Sequence, residues 1–164
     1  MQLKIYTDGG CSGNPGPGGW AYIIIEERAG KLKILAEDWG AERITTNNRM
    51  ELNAAVAALA RAAELPGSQK KIRVFTDSQY VQRGMSLWIH TWKLNAWRTS
   101  ESKPVKNQEL WRRLDELAEL FPVEWEWVKG HAGNTYNERC DRMTRMAIAS
   151  LETDGPFGPD CLVF

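Results

Sequence analysis

Lys71-Ile72-Arg73-Val74-Phe75-Thr76-Asp77-Ser78-Gln79-Tyr80 carries the architecture of this chain in ten residues. Ile72, Val74 and Thr76 fall at every second position, the period of a strand, and the run ends on an acid before Ser78 opens helical material. That material is expected to break near Gly84 and again around Asn95. Upstream, Leu52, Val56, Leu59 and Ala63 recur at helical spacing within Thr45 to Leu65, and Pro66-Gly67 stops the run. A strand reached through a helical crossover suits a parallel pairing. Before that helix, Gln2 to Asp8 reads as a strand, Gly9 to Gly19 as a Gly/Pro loop, and Trp20 to Glu27 with Leu32 to Trp39 as a hairpin turning at Ala29-Gly30. After it, Gln108 to Phe121 is an amphipathic helix stopped by Pro122. Val123 to Val128 is a half-buried strand, Gly130 to Gly133 a loop and Tyr136 to Leu151 a final helix. The order predicts an α/β fold: a mixed five-stranded sheet, antiparallel meander plus parallel strands, flanked by helices.

With 164 residues, 43% hydrophobic and 26% charged, the chain has the composition of one ordinary folded domain and not of a disordered tract. Its longest strongly apolar run, Trp20 to Ile25, is too short for a bilayer, and the N-terminus has no secretory hydrophobic region. Cys11, Cys140 and Cys161 show no CxxC spacing, which argues against a disulfide framework or zinc site and for a reducing, cytoplasmic setting. Net charge is zero, so any affinity for nucleic acid has to come from local charge.

Acids fall where strands end. Asp8 closes the first strand and Asp77 the fourth, and ligands of α/β sheets collect outside the carboxyl ends of parallel strands. Glu51 lies in the expected first turn of its helix, and Asp141 early in the last helix among Arg139, Arg142 and Arg145. Each has a plain structural reading: a turn at Asp8-Gly9, a cap at Asp77-Ser78, a macrodipole carboxylate, a solvated ion pair. Together they point to one place, where four anions need cations to coexist, and Mg²⁺ with oxygen ligands is the usual solution. The glycine-rich stretch is no phosphate cradle. It lacks the Lys-Ser/Thr of a P-loop, and Gly16-Pro17-Gly18-Gly19-Trp20-Ala21 leads into a strand, not a helix.

Four motifs in order carry a closer likeness. Thr7-Asp8-Gly9-Gly10-Cys11-Ser12-Gly13-Asn14-Pro15-Gly16, Thr45-Thr46-Asn47-Asn48-Arg49-Met50-Glu51-Leu52, Thr76-Asp77-Ser78-Gln79-Tyr80, and Trp127-Val128-Lys129-Gly130-His131-Ala132-Gly133 with Asn137-Glu138-Arg139-Cys140-Asp141 resemble the bacterial type 1 ribonuclease H family, and the likeness runs from about Leu3 to Ile148. The resemblance implies a ribonuclease H-like fold and a monomeric, metal-dependent endonuclease. Such an enzyme cuts the RNA strand of RNA/DNA hybrids to 5′-phosphate and 3′-hydroxyl ends. It implies that Asp8, Glu51, Asp77 and Asp141 hold two Mg²⁺ ions, with Mn²⁺ an alternative, Asp8 bridging both. It also implies that His131 assists proton transfer or product release, a role suited to a base of ordinary pKa near 6.5.

By the same likeness Asn14, Asn47, Asn48 and Gln79 contact the hybrid, where RNA is told from DNA by its 2′-hydroxyls, and Cys11 lies against the DNA strand. Ser86 to Asn107 carries Lys93, Arg98, Lys103 and Lys106 against the single acid Glu101, interleaved with Trp88, Trp92 and Trp97. It matches the family's basic handle, with Trp88, Trp92, Lys93, Arg98 and Lys106 as expected contacts and most of the rings as packing. Leu94, Asn95 and Ala96 stand where a strong handle adds cations. A catalytic domain is expected over residues 1–151, and a tail over 152–164 is expected to fold back as an apolar clasp. A hybrid-binding module without catalysis would have no use for the four acids with His131, and a transposase or integrase core would call for further DNA-binding segments.

Overall fold

The computed structural model describes residues 1–67, 69–130 and 133–153. Strands β1 (Gln2–Cys11), β2 (Gly16–Arg28) and β3 (Lys31–Thr45) form the antiparallel meander. Helix α1 (Asn47–Glu64) crosses to β4 (Lys71–Thr76), which lies parallel to β1. Then follow α2 (Gln79–Arg83), a π-helical turn (Gly84–Trp88), α3 (Ile89–Leu94) and α4 (Gln108–Ala118). The chain continues with β5 (Val123–Trp127), parallel to β4, and α5 (Thr135–Thr153). The sheet order is β3-β2-β1-β4-β5, the mixed five-stranded arrangement expected.

Both faces of the sheet are covered. Leu3, Ile5, Tyr22, Ile24, Ile72 and Val74 pack against Leu52, Ala55 and Leu59 of α1 and Trp111 and Leu114 of α4. On the other face Tyr6, Ile23, Ile25 and Phe75 meet Cys140 of α5. That double cover explains why Ile23, Ile24 and Ile25 are all fully buried where a one-faced strand would alternate. No described helix is long and apolar enough to cross a membrane.

Four sequence expectations are corrected. The glycine-rich stretch is largely strand: Gly9, Gly10 and Cys11 pair with Trp20, Gly19 and Gly18, so only residues 12–15 connect β1 to β2. The Cys11 thiol closes that turn by donating to the carbonyls of Gly16 (3.2 Å) and Thr45 (3.3 Å). β3 likewise runs on to Thr45, because Gly40, Ala41 and Glu42 pair with the extended part of β2. Gly84 does not break its helix. The turn widens to the π form there, and a Cβ on Gly84 would collide with the fully buried Trp111 ring. Glycine at this position makes room for an indole. The last helix continues through Glu152 to Thr153, past its expected end at Leu151, while residues 154–164 of the expected clasp lie outside the described residues.

Candidate active site

The site begins with register. Thr7 of β1 lies opposite Thr76 of β4 in the parallel ladder, so the next residues, Asp8 and Asp77, emerge at the same end of adjacent strands. Ser78 caps α2 by accepting from the Val81 N–H at 3.1 Å, which leaves the Asp77 carboxylate out of the cap. α1 is capped by Thr46, whose hydroxyl accepts from the Arg49 N–H at 3.3 Å. Glu51 is therefore the fifth residue of its helix, beyond the first turn, and the macrodipole does not explain it. What brings it to the site is Gly9: a Cβ there would overlap the Met50 carbonyl carbon and the Glu51 nitrogen, so glycine lets α1 lie directly on β1.

Asp8, Glu51 and Asp77 each offer an oxygen within 4.8 Å of the others, close enough to share one cation. Their electrostatics show the strain of that proximity. The Asp8 carboxyl is pushed up to about 7 from 3.8, first by burial, then by Asp77 and, more weakly, Asp141; Thr144 and the Gly9 N–H pull the other way. Glu51 is raised well above the usual carboxylate range by burial and by the charges of Asp8 and Asp77. Its buried Oε2 has no hydrogen-bond partner. Buried, mutually repelling carboxylates with an unsatisfied oxygen are what a hard divalent cation would complete.

The fourth expected acid stands apart. Asp141, in the second turn of α5, pairs with Arg145 Nη2 at 3.0 Å, one turn along its own helix, and acts on Asp8 only through its charge. His131 lies outside the described residues. Among the expected hybrid contacts, Asn14, Asn47, Asn48 and Gln79 are all exposed on the loops and helix starts around the triad. The Asn14 side-chain oxygen accepts from the Asn47 N–H at 3.2 Å, which joins two of them. Cys11 is engaged in the turn already described.

The handle is more self-contained than its charges suggest. Trp88 packs on Tyr80 and Trp92, and Trp92 on Trp97 and Trp111, so the rings form one aromatic cluster. Lys93 is tied to Asp115 at 3.1 Å and Glu119 at 3.0 Å on α4. Arg98 donates to the Ser102 carbonyl at 2.8 Å, and Lys103 pairs with Glu101 at 3.4 Å. Lys106 is exposed beside the buried Val105. Two residues escaped sequence reading. Trp127 shares the alternation of Val123 and Trp125 in the half-buried strand, yet it is 44% exposed and holds the main chain at Asp77. Thr144 faces Asp8 from α5, and nothing in its sequence context signals that.

Sheet order, crossover and cluster define the class: a mixed α/β domain with a carboxylate centre for divalent cations at the end of its parallel strands. Residues 1–149 match the family model for RNase H. A ribonuclease H of Treponema denticola is 52% identical over 161 residues, covering 92% of this chain and 99% of its own length. One of Aromatoleum aromaticum is 51% identical over 154 residues, covering 94% and 95%. Among solved structures, LC9-RNase H1, a type 1 RNase H with the type 2 active-site motif, is 33% identical with a TM-score of 0.80, over 91% of this chain and 72% of that one. The chain belongs to the RNase H family.

Proposed function

We propose that this chain hydrolyses the RNA strand of RNA/DNA hybrids as a divalent-metal-dependent endonuclease, with Asp8, Glu51 and Asp77 as the centre of its metal site and Asp141 as the fourth ligand. The observation that carries the reading is the convergence of three carboxylates within 4.8 Å in a member of the RNase H family. Asp8 feels the charges of Asp77 and Asp141 and adds its own to Glu51, which supports a place for it beside both of two cations. Asp141 becomes available by giving up a partly exposed i,i+4 pair, an interaction of only about 0.2–0.5 kcal/mol.

Two Mg²⁺ ions, or Mn²⁺, held by these four carboxylates would supply activation of the attacking water and stabilisation of the leaving 3′ oxygen, so that products would carry 5′-phosphate and 3′-hydroxyl ends. The protein supplies placement. The carboxylates are delivered by two strands and a helix whose backbones are fixed in the sheet and core, so their oxygens need little reorganisation. Asn14, Asn47, Asn48 and Gln79 present amide donors and acceptors around the triad, the chemistry that reads 2′-hydroxyls and base edges across a shallow minor groove. His131 is assigned to proton transfer or product release. Free thiols at Cys11 and Cys140 support a reducing compartment, the cytoplasm, and nothing in the reaction calls for a second subunit.

A fluorescent RNA/DNA hybrid incubated with the protein and Mg²⁺, beside duplex RNA and duplex DNA, tests the reading. Cleavage of the hybrid's RNA strand alone, lost in Asp8→Asn, is the expected result. Binding without cleavage would point to a hybrid-binding module, and cutting of duplex DNA to a transposase-like core.

A further inference from the structure

Asn107 occupies the position that caps α4, in a left-handed conformation (φ 59, ψ 31), yet its side chain makes no capping bond. Asparagine is among the best capping residues, so a diverted amide gives up a local stabilisation that the helix would otherwise have. The diversion has a definite destination. Asn107 Oδ1 accepts from Arg49 Nη1 at 3.0 Å, and Asn107 Nδ2 donates to the Tyr80 hydroxyl at 3.2 Å. The same hydroxyl accepts from Trp111 Nε1 at 3.0 Å. Arg49 Nη1 reaches Glu109 Oε1 as well, at 2.6 Å.

This bracket ties together the elements that bear the hybrid contacts. Arg49 sits on α1 between Asn48 and Glu51. Tyr80 follows Gln79 on α2, and Asn107 follows Lys106 at the end of the basic segment. The Arg49–Glu109 arm is largely exposed and adds little to stability by itself. A planar guanidinium held by two acceptors is nevertheless well suited to fixing distance and orientation.

We propose that Arg49 is a positioning residue: through Asn107 it sets the gap between the amino end of α1 and the Ser86–Asn107 segment, and so the register in which a hybrid meets the carboxylates. The inference rests on the ribonuclease H reading above. It places no bond between Arg49 and the reacting phosphate.

Steady-state cleavage of one defined RNA/DNA hybrid in Mg²⁺, with the cut positions mapped, tests it in Arg49→Ala, Asn107→Ala, the double variant, Arg49→Lys and Glu109→Gln. Either alanine variant should raise KM about 10-fold with kcat within about twofold and should spread the cuts to neighbouring positions, while the double variant is no worse than the weaker single. Arg49→Lys keeps the charge without the planar, directed N–H groups and should recover less than half of the loss. Glu109→Gln, which leaves the Arg49–Asn107 bond, should behave as wild type. Wild-type KM and cut positions in Arg49→Ala, additive losses in the double variant, or a Glu109→Gln defect equal to that of Arg49→Ala would each overturn the inference. So would a fall in kcat accompanied by a large drop in melting temperature, because that marks a scaffold residue. A wild-type chain that leaves hybrids intact overturns the functional reading and this inference with it. A wild type that cuts, beside an unchanged Arg49→Ala, overturns this inference alone.

Discussion

The indole Nε1 of Trp127 donates a 2.9 Å hydrogen bond to the main-chain carbonyl of Asp77. One residue further on, the Val128 N–H donates to the Thr76 carbonyl at 2.8 Å, so the end of β5 clamps the backbone from which the Asp77 carboxylate projects. Trp127→Phe keeps a large ring and removes the side-chain bond, a loss of about 1 kcal/mol. The melting temperature should fall by roughly 2–4 °C. Turnover on a hybrid should fall by about 3- to 10-fold as Asp77 loosens. Unchanged turnover in that variant would show that the clamp does not matter to the site.

The pH dependence of stability follows from Asp8. Its native carboxyl is raised to about 7, against 3.8 for an ordinary aspartate, so the folded chain keeps a proton that the unfolded chain releases. Stability from this group is therefore present below about pH 4 and is lost as pH rises to about 7, by at most about 1.4 kcal/mol per pH unit. Asp8→Asn should abolish cleavage, spare hybrid binding and flatten that decline, melting above wild type at pH 8 without divalent ions. Added Mg²⁺ should raise the wild-type melting temperature at pH 8 and do little at pH 5, where protons compete for the same oxygens. A gap between the two proteins that does not vary with pH would contradict the assignment.

Gly9→Ala and Gly10→Ala make a matched pair. The first Cβ overlaps the backbone at Met50 and Glu51, whereas the second has Thr144 Cγ2 as its nearest neighbour, at 3.8 Å. Gly9→Ala should push α1 off the sheet, with a loss of about 1–3 kcal/mol and of about 100-fold or more in turnover. Gly10→Ala should retain both within about twofold. Thermal melts and initial rates distinguish them; equal behaviour would remove the close approach as the reason for glycine.

The cations of the handle should separate by what already holds them. Lys106→Ala should reduce the salt dependence of hybrid binding by up to about 0.9 log unit per log salt, the effect of one lost phosphate contact. Lys93→Ala should leave that slope alone, because its ammonium is engaged by Asp115 and Glu119. A slope that changes equally for both would mean that the α4 pair opens on binding.

His131→Ala should slow turnover by about 10- to 1000-fold without abolishing it, since acid–base assistance contributes about 10²–10⁴. Unchanged divalent-cation binding, followed by the shift in melting temperature, separates this role from that of a metal ligand.

The class of fold was legible because its signals are local. Ile72, Val74 and Thr76 mark β4, and the Leu52–Leu59 stripe with Pro66-Gly67 marks the crossover helix. Asp8 and Asp77 were legible as strand-end acids for the same reason. What escaped depends on partners far away in the chain. Gly9 and Gly84 read as loop and breaker, but each is small because something packs on it, the backbone of α1 in one case and Trp111 in the other. Lys93 reads as a free cation until α4 brings Asp115 and Glu119 beside it. Trp127 follows the alternation of a core position, yet it ends an edge strand, where the inward ring has little left to cover and its N–H finds Asp77 instead.

β1 is the middle strand of the five, paired on one side with β2 and on the other with β4. Asp8 therefore sits on the strand whose amides are the last to be released by fraying from either edge. Hydrogen exchange there reports global unfolding and not local opening. The amides of Ile5, Tyr6 and Thr7, paired on both sides just before Asp8, should be among the slowest in the molecule, and their protection should equal the full unfolding free energy. The carboxylate nearest the chemistry is held for as long as the chain is folded, and any adjustment that a substrate demands has to be made by α2 and the handle.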